Sequence, residues 1–287
     1  MKTQNLLRSL TILLTGVTLT PATRRYRVAL GRGTPRATPA QVSVSEAGDW
    51  QEQESFKVTT PNAVYYYHKL GAGFASLIDR DGNDWISFRP SGGSAGHYRG
   101  IPNLGVCGHP GYTNSVSRVI NNGPLVATIY SETTDGAWAF AWDIFPHDAR
   151  LTILKAGGMY WFLYEGTPAG KLDLPNQYCV RSPGLRTPAS EIWSGDLPDP
   201  EWVYFGDEKI NRIIYLVHHE DDDQPDQYWP MENNMTVFGF GRVYRTIERF
   251  MQRVPAHFTI GLADSGDLAG ATRAINSAFR DLTVNVE

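Results

Sequence analysis

A succession of short apolar runs separated by turn residues constrains this chain more than any other feature. In Trp138-Ala-Phe140-Ala-Trp142-Asp-Ile144 the even positions are large and apolar while the odd ones are small or charged. Side chains alternate between faces along a strand, so a segment of this kind buries one face only. Further strand-like runs occupy residues 55–60, 63–68, 73–79, 84–88, 115–120, 125–131, 151–155, 160–164, 202–205, 213–218 and 235–240. Asp81-Gly82 is a strong hairpin signal, which predicts pairing of 73–79 with 84–88. Many short strands without a regular strand–helix alternation predict a mainly β, antiparallel β-sandwich rather than a parallel α/β sheet.

Two segments depart from the strand pattern. Over residues 267–282, Leu268, Ala271, Ile275, Ala278, Phe279 and Leu282 fall on one stripe at helical spacing, with Asp267 near the start. A C-terminal helix on the outside of the sandwich is expected there, and a shorter helix over residues 243–252. No fixed-period repeat and no second core bounded by a linker are visible, so residues 49–287 are expected to form one domain.

The N-terminal region reads differently. Lys2 and Arg8 flank the start, a short apolar stretch follows, and Thr20-Pro-Ala22 offers small residues for cleavage. These features predict an export signal over residues 1–22 and a secreted or periplasmic location. The stretch is too short to span a bilayer. Residues 23–48 carry Arg24, Arg25, Arg27, Arg32 and Arg36 among Pro, Ser and Thr, which reads as a flexible linker.

With a net charge of -4 the chain lacks the basic excess that coats phosphates, so nucleic acid is not an expected partner. Its 8 Trp and 14 Tyr suit strand cores and sugar faces equally well. Two cysteines, Cys107 and Cys179, are too few for a disulfide framework and lack zinc spacing, although an oxidising compartment would permit one bridge.

Site-type residues crowd one loop. His97, Tyr98, Arg99, Asn103, His109 and Tyr112 fall among glycines and prolines directly after the expected ribbon, where a rigid scaffold can present polar groups it does not need for its core. The alternative use of these side chains is to tie the loop down. Glu165 ends an apolar run, and a carboxylate beside aromatic walls can carry a raised pKa and act as acid or base. Tyr164 should face the opposite side of that strand. His218 and His219 are delivered to a sheet edge, followed by acidic residues of which Asp221, Asp223 and Asp226 could hold a structural calcium ion or form a solvated turn. Tyr228 and Trp229 could stack on a pyranose ring or merely lid the core. Phe238-Gly-Phe-Gly-Arg242 lacks the lysine and spacing of a phosphate loop, so its glycines are expected to serve close packing.

At residues 73–88 and at Arg99-Gly-Ile-Pro-Asn103 the chain resembles the N-terminal part of the galactose-mutarotase-like supersandwich proteins, with strand, D-G turn, strand and an R-G-x-P-like loop. The resemblance covers residues 71–111. Tyr160-Pro168 is similar to a segment of uncharacterised exported bacterial proteins. The usual mutarotase histidine and glutamate motifs do not align on the chain. What the resemblance implies is a cleft for a carbohydrate and a reaction by epimerisation, elimination or hydrolysis. A glycosidase requires two flanking carboxyl groups, and Glu165 supplies one. The shortage favours proton abstraction by His109, Glu165, His218 or His219, with Arg99 neutralising a sugar acid and His97, Tyr98, Asn103, Tyr112, Tyr164, Tyr228 and Trp229 holding substrate. A non-catalytic carbohydrate-binding protein is the alternative.

Overall fold

The computed structural model describes residues 41–91, 99–243, 246–264 and 267–279. The expected export signal lies outside the described residues, as do most of the expected linker, His97, Tyr98 and Leu282. Seventeen strands are present among the described residues: β1 Ser43–Trp50, β2 Gln53–Thr59, β3 Ala63–His68, β4 Gly73–Asp79, β5 Ser115–Asn122, β6 Ala127–Thr133, β7 Ala139–Ile144, β8 Asp148–Lys155, β9 Phe162–Gly166, β10 Gln177–Arg181, β11 Leu185–Pro188, β12 Trp193–Gly195, β13 Trp202–Asp207, β14 Ile210–His218, β15 Asp226–Met231, β16 Met235–Phe240 and β17 Ala256–Ala263. One α-helix among the described residues, α1 (Leu268–Ala278), follows.

The strands form three antiparallel sheets, ordered β1-β2-β3-β4, β11-β10-β13-β14-β17-β8-β7-β6-β5 and β12-β15-β16-β9. The first and third are joined by the segment that carries the R-G-I-P-N sequence. Phe74 N–H donates to Ile101 O at 2.7 Å, Gly100 N–H to Glu165 O at 2.7 Å, and Asn103 N–H and Leu163 N–H exchange bonds with each other's carbonyls at 3.2 and 3.1 Å. Residues 100–103 thereby act as a short bridging strand between β4 and β9, which satisfies backbone groups on both sides. The result is one broad layer over the nine-stranded sheet. Between the layers Phe74 meets Trp142 edge to face at 4.8 Å and Phe162 stacks on Phe258 at 4.4 Å.

On the outer side of the nine-stranded sheet α1 packs over β14 and β17. Asp267 caps the helix by accepting from Gly270 N–H at 2.6 Å, and Ala271, Ile275 and Ala278 bury its inner stripe against Val180, Tyr204 and Val217. Leu268, expected on that stripe, is exposed.

Three expectations are corrected. β1 begins at Ser43, inside the segment that composition assigns to a linker, because Val42 and Val44 are buried while Ser43, Ser45, Glu46 and Asp49 stay polar and mask the strand pattern. Residues 84–88 do not form a regular strand. The expected pairing is present in broken form: Ile78 bridges Asp84, Trp85 N–H donates to Leu77 O at 2.9 Å and Phe88 N–H to Ala75 O at 3.1 Å, while Asp84 Oδ1 accepts from Leu77 and Ile86 N–H at 3.0 Å each and Ser87 takes φ 59°, which interrupts the ladder. Among their described residues 243–252 contain no helix: Phe250 N–H donates to Gly241 O and Met251 pairs with Tyr160, which folds the segment back over the sheet. Cys107 and Cys179 are both buried and unbridged. No helix among the described residues is long and apolar enough to cross a membrane.

Candidate active site

Register decides which side chains meet. Trp229 pairs with Val237, Val237 with Glu165 and Glu165 with Gly100, so these four residues form one row on the face of the layer turned away from the core. The next row is Gln227, Gly239, Leu163 and Asn103. Phe162 and Tyr164 point the other way, into the core.

Onto this face a loop lays His109. Its path is set by glycines: a Cβ at Gly71 would strike the carbonyl of His109, one at Gly73 would lie 2.9 Å from Pro110 Cδ, and one at Gly100 would lie 3.0 Å from both His109 Cδ2 and Nε2. The Gln53 side-chain amide holds the same loop, its Nε2 donating to Pro110 O and, at 3.2 Å, to Tyr112 O. Gly111 N–H donates to His109 Nδ1 at 3.0 Å, so the neutral ring carries its proton on Nε2. That nitrogen lies 3.5 Å from Glu165 Oε2. Asn103 Nδ2 donates to the same oxygen at 2.9 Å, while Asn103 Oδ1 accepts from Gly105 N–H at 2.8 Å, which fixes the amide orientation. Tyr112 packs edge to face on His109 at 5.6 Å.

Burial raises the pKa of Glu165 from 4.5 to about 7, against the opposing pull of the Asn103 hydrogen bond and the Arg242 charge. Burial lowers Arg242 to about 10, with Glu165 acting in the other direction. The Arg242 guanidinium sits 4.3 Å from the Trp161 ring centroid and 4.4 Å from that of Trp229, and Arg249 lies over Trp161 at 5.1 Å. The face therefore offers an acid–base pair, an orienting amide, two indoles and two cations. Trp161, Arg242 and Arg249 were not singled out from the sequence. Trp161 was legible there, since it lies four residues before Glu165 and so shares its face, whereas the stacking of Arg242 is a tertiary contact with no local signature. The expected packing role of the Phe238–Phe240 glycine is borne out: a Cβ at Gly239 would collide with Leu163.

Other expected site residues lie elsewhere. Arg99 neighbours Gly100 and faces the opposite side from Glu165, where Nη1 and Nη2 donate to the carbonyls of Ser87 and Asn234 at 3.3 and 3.1 Å. It ties two loops together and is not in one cleft with Glu165. Arg99→Lys loses the planar fork, so stability should fall by about 1.5 to 3 kcal/mol, the range for hydrogen bonds to charged groups, with turnover of the folded protein unchanged. Thermal melts with parallel rate measurements check this; a lost rate at unchanged melting temperature would return Arg99 to the site. Tyr164 is fully buried and donates to Trp85 O at 2.7 Å, and Tyr228 is fully buried and donates to Ala189 O. Neither lies on the Glu165 face, because each sits one residue out of phase with Glu165 or Trp229.

His218 and His219 also separate from Glu165. His218 lies between the layers, stacked on Phe258 at 4.8 Å, with Nδ1 at 2.5 Å from Glu201 Oε2. Burial pushes Glu201 up to about 9 and pulls His218 down, which describes a neutral carboxyl–imidazole pair. His219 turns to the helix side and meets Thr259 Oγ1 at 2.8 Å and the Phe279 ring. Glu220 is held below the usual carboxylate range despite its burial, by hydrogen bonds from His257. The three aspartates expected for calcium do not converge. Asp226 is buried and accepts from Leu197 and Gly241 N–H at 3.0 and 3.2 Å, whereas Asp221 and Asp223 are exposed. Among the described residues, those whose ligand atoms do come within 4.8 Å of one another are Glu201, His218 and Asp222. Calcium should leave the melting temperature unmoved, since a stabilising ion needs a folded-state cage; a rise of several degrees on titration would contradict this.

No protein-family model matches the chain, and no curated protein is similar to it in sequence. Among solved structures, HI1317 superposes with a TM-score of 0.51 at 12% identity, over 80% of this chain and 98% of its own. YeaD from Salmonella typhimurium, described as a candidate mutarotase, superposes with a TM-score of 0.42 at 12% identity, over 80% of this chain and 96% of its own. The chain thus shares the fold of HI1317, a likeness that carries architecture and leaves chemistry to the site.

Proposed function

We propose that the chain binds a carbohydrate on the Glu165 face and acts on it by proton transfer, as a sugar epimerase of the mutarotase kind. The observation that carries this reading is the Glu165–Asn103–His109 arrangement: a buried carboxylate with a pKa of about 7 and an imidazole Nε2–H 3.5 Å away. A base of that pKa is half ionised at neutral pH, where it can take a proton and return it. Glu165 removes the proton of the anomeric hydroxyl while His109 Nε2–H protonates the ring oxygen. The C1–O5 bond breaks, C1 becomes a carbonyl, and reclosure on the other face with both protons returned gives the second anomer. Nothing is oxidised or reduced. Trp161 and Trp229 supply apolar faces suited to a pyranose.

The resemblance of residues 71–111 supports the same reading, since its R-G-I-P-N stretch is the segment that delivers Asn103 to Glu165. The named neighbours of Glu165 are an amide, an imidazole and a guanidinium, an acid–base set rather than a carboxylate pair. The test is anomeric exchange of glucose, galactose and glucuronate followed by NMR, with parallel absorbance near 235 nm. Acceleration of exchange is expected. New absorbance would point to elimination instead, and sugar binding without either change would favour a binding protein.

A further inference from the structure

A cavity of about 420 Å³ shares a wall with the Glu165 site, and Gln51, Glu52, Phe88, Gly111, Tyr112 and Thr113 are among the residues that line it. The shared wall is the His109 ring. Gly111, which lines the cavity, donates its N–H to His109 Nδ1 at 3.0 Å, whereas Nε2 lies 3.5 Å from Glu165 Oε2. Phe88 and Tyr112 meet the imidazole edge to face at 6.3 and 5.6 Å, so each touches His109 and borders the cavity as well. Gln53 spends its whole amide on holding this wall: Nε2 donates to the carbonyls of Pro110 and Tyr112, and Oε1 accepts from Gly71 N–H at 3.2 Å.

The opposite wall is a turn built against backbone preference. Trp50 pairs with Gln53, so Gln51-Glu52 is a two-residue hairpin loop, and both residues take positive φ, 52° and 69°. Asn and Gly are the usual occupants of such positions, because longer side chains are strained there. Gln51 Oε1 is in addition buried without a hydrogen-bond partner. The hairpin itself requires neither cost, since Asn-Gly would close it without either, and strain kept where it is not needed for folding points to function. Both costs fall at a cavity lined by amides, a hydroxyl and aromatic rings. That combination suits a polyhydroxylated ring, with polar groups for its hydroxyls and flat surfaces for its C–H faces.

We infer that this cavity is a second carbohydrate subsite, which receives the neighbouring residue of an oligosaccharide whose reducing-end sugar occupies the Glu165 site. This rests on the carbohydrate reading of the Glu165 face and names the substrate as the end of a sugar chain. His109 then stands between two sugar rings, and Tyr112 with the Gln51-Glu52 turn holds the outer one.

Calorimetric titration tests it by comparing each free sugar with a dimer that carries it at the reducing end: glucose with cellobiose, galactose with β-1,4-galactobiose, and glucuronate with β-1,4-diglucuronate. At least one dimer should bind about 10- to 100-fold more tightly than its monomer, the worth of about two added hydrogen bonds. Thr113→Trp, which fills the cavity from an exposed position, should erase that preference. Gln51→Gly keeps the turn, since glycine adopts positive φ readily, and should lower the dimer-to-monomer affinity ratio about 10-fold without lowering the melting temperature. A turn that is merely structural would leave the ratio unmoved. Should Thr113→Trp fail to fold, the ratio in Gln51→Gly decides. Equal affinity for every dimer and its monomer, or a preference that survives both substitutions, would overturn the inference, and no binding of any sugar would overturn it together with the carbohydrate reading. Dimer preference without anomeric exchange would uphold the subsite and sink the epimerase reading alone, whereas exchange of free sugars without dimer preference would sink only the subsite.

Discussion

Glu165→Gln should abolish turnover and, above neutral pH, make the protein more stable. The first effect follows from removing the proton acceptor, a loss of about 10²- to 10⁴-fold in rate. The second follows from the direction of the Glu165 shift, from 4.5 in the unfolded chain to about 7 in the fold. A folded pKa above the unfolded one means that the fold favours the protonated acid. Its contribution is therefore fully present below pH 4.5 and is lost as pH rises through about 7. At 1.36 kcal/mol per unit the loss is about 3 kcal/mol. Glutamine keeps an oxygen for the Asn103 amide and has no charge to desolvate. The variant should match the parent near pH 4 and melt higher at pH 8, while the activity of the parent climbs through pH about 7 as the base ionises. Parallel melts and rates from pH 4 to 9 check both slopes. A variant no more stable than the parent at pH 8 would remove the case for a strained, desolvated base, and full activity would remove Glu165 from the chemistry.

That strain also explains how much of the molecule could be read from its residues. Ala63–His68 and Gly73–Asp79 were legible to the residue because turns bound them, and Trp138–Ile144 because one face alone is buried. β17 was not, since Ala256–Leu262 is buried on both faces and so shows no alternation. β1 escaped for the opposite reason, with Val44 its one buried side chain among small and polar residues. In the site, Glu165, His109, Asn103 and Trp229 were legible as residue types in suggestive places, as was the opposed direction of Tyr164. Side-chain direction at the remaining positions depends on register: Gly100 opposite Glu165 turns Arg99 away, and Trp229 opposite Val237 sends Tyr228 inward. One residue of phase reverses every such assignment. Arg242 was hidden because a guanidinium between two indoles from distant segments has no spacing in sequence.

Gly100→Ala probes whether the close approach of His109 to Glu165 matters. A Cβ there would collide with the Pro110 ring and lie 3.0 Å from His109 Cδ2 and Nε2, so the loop must lift. Gly100 is absent from the positive-φ positions, so the backbone itself tolerates alanine and the effect is steric alone. Overpacking of this kind costs about 1 to 3 kcal/mol. The displaced ring moves away from Glu165, and a misplacement on the order of 1 Å can cost about 100-fold in rate. Gly158→Ala is the control, because a Cβ at Gly158 meets nothing within 4 Å and its stability should change by less than about 0.5 kcal/mol. Melting temperature, turnover and the His109 ring resonances, measured on both variants, separate the contributions. Lower stability with intact turnover would mean that His109 works from a range of positions or not at all. Unchanged stability and turnover would mean that the loop does not rest on Gly100. The expected result, a destabilised protein whose folded fraction turns over far more slowly, would tie the glycine track under the loop to the geometry of the acid–base pair.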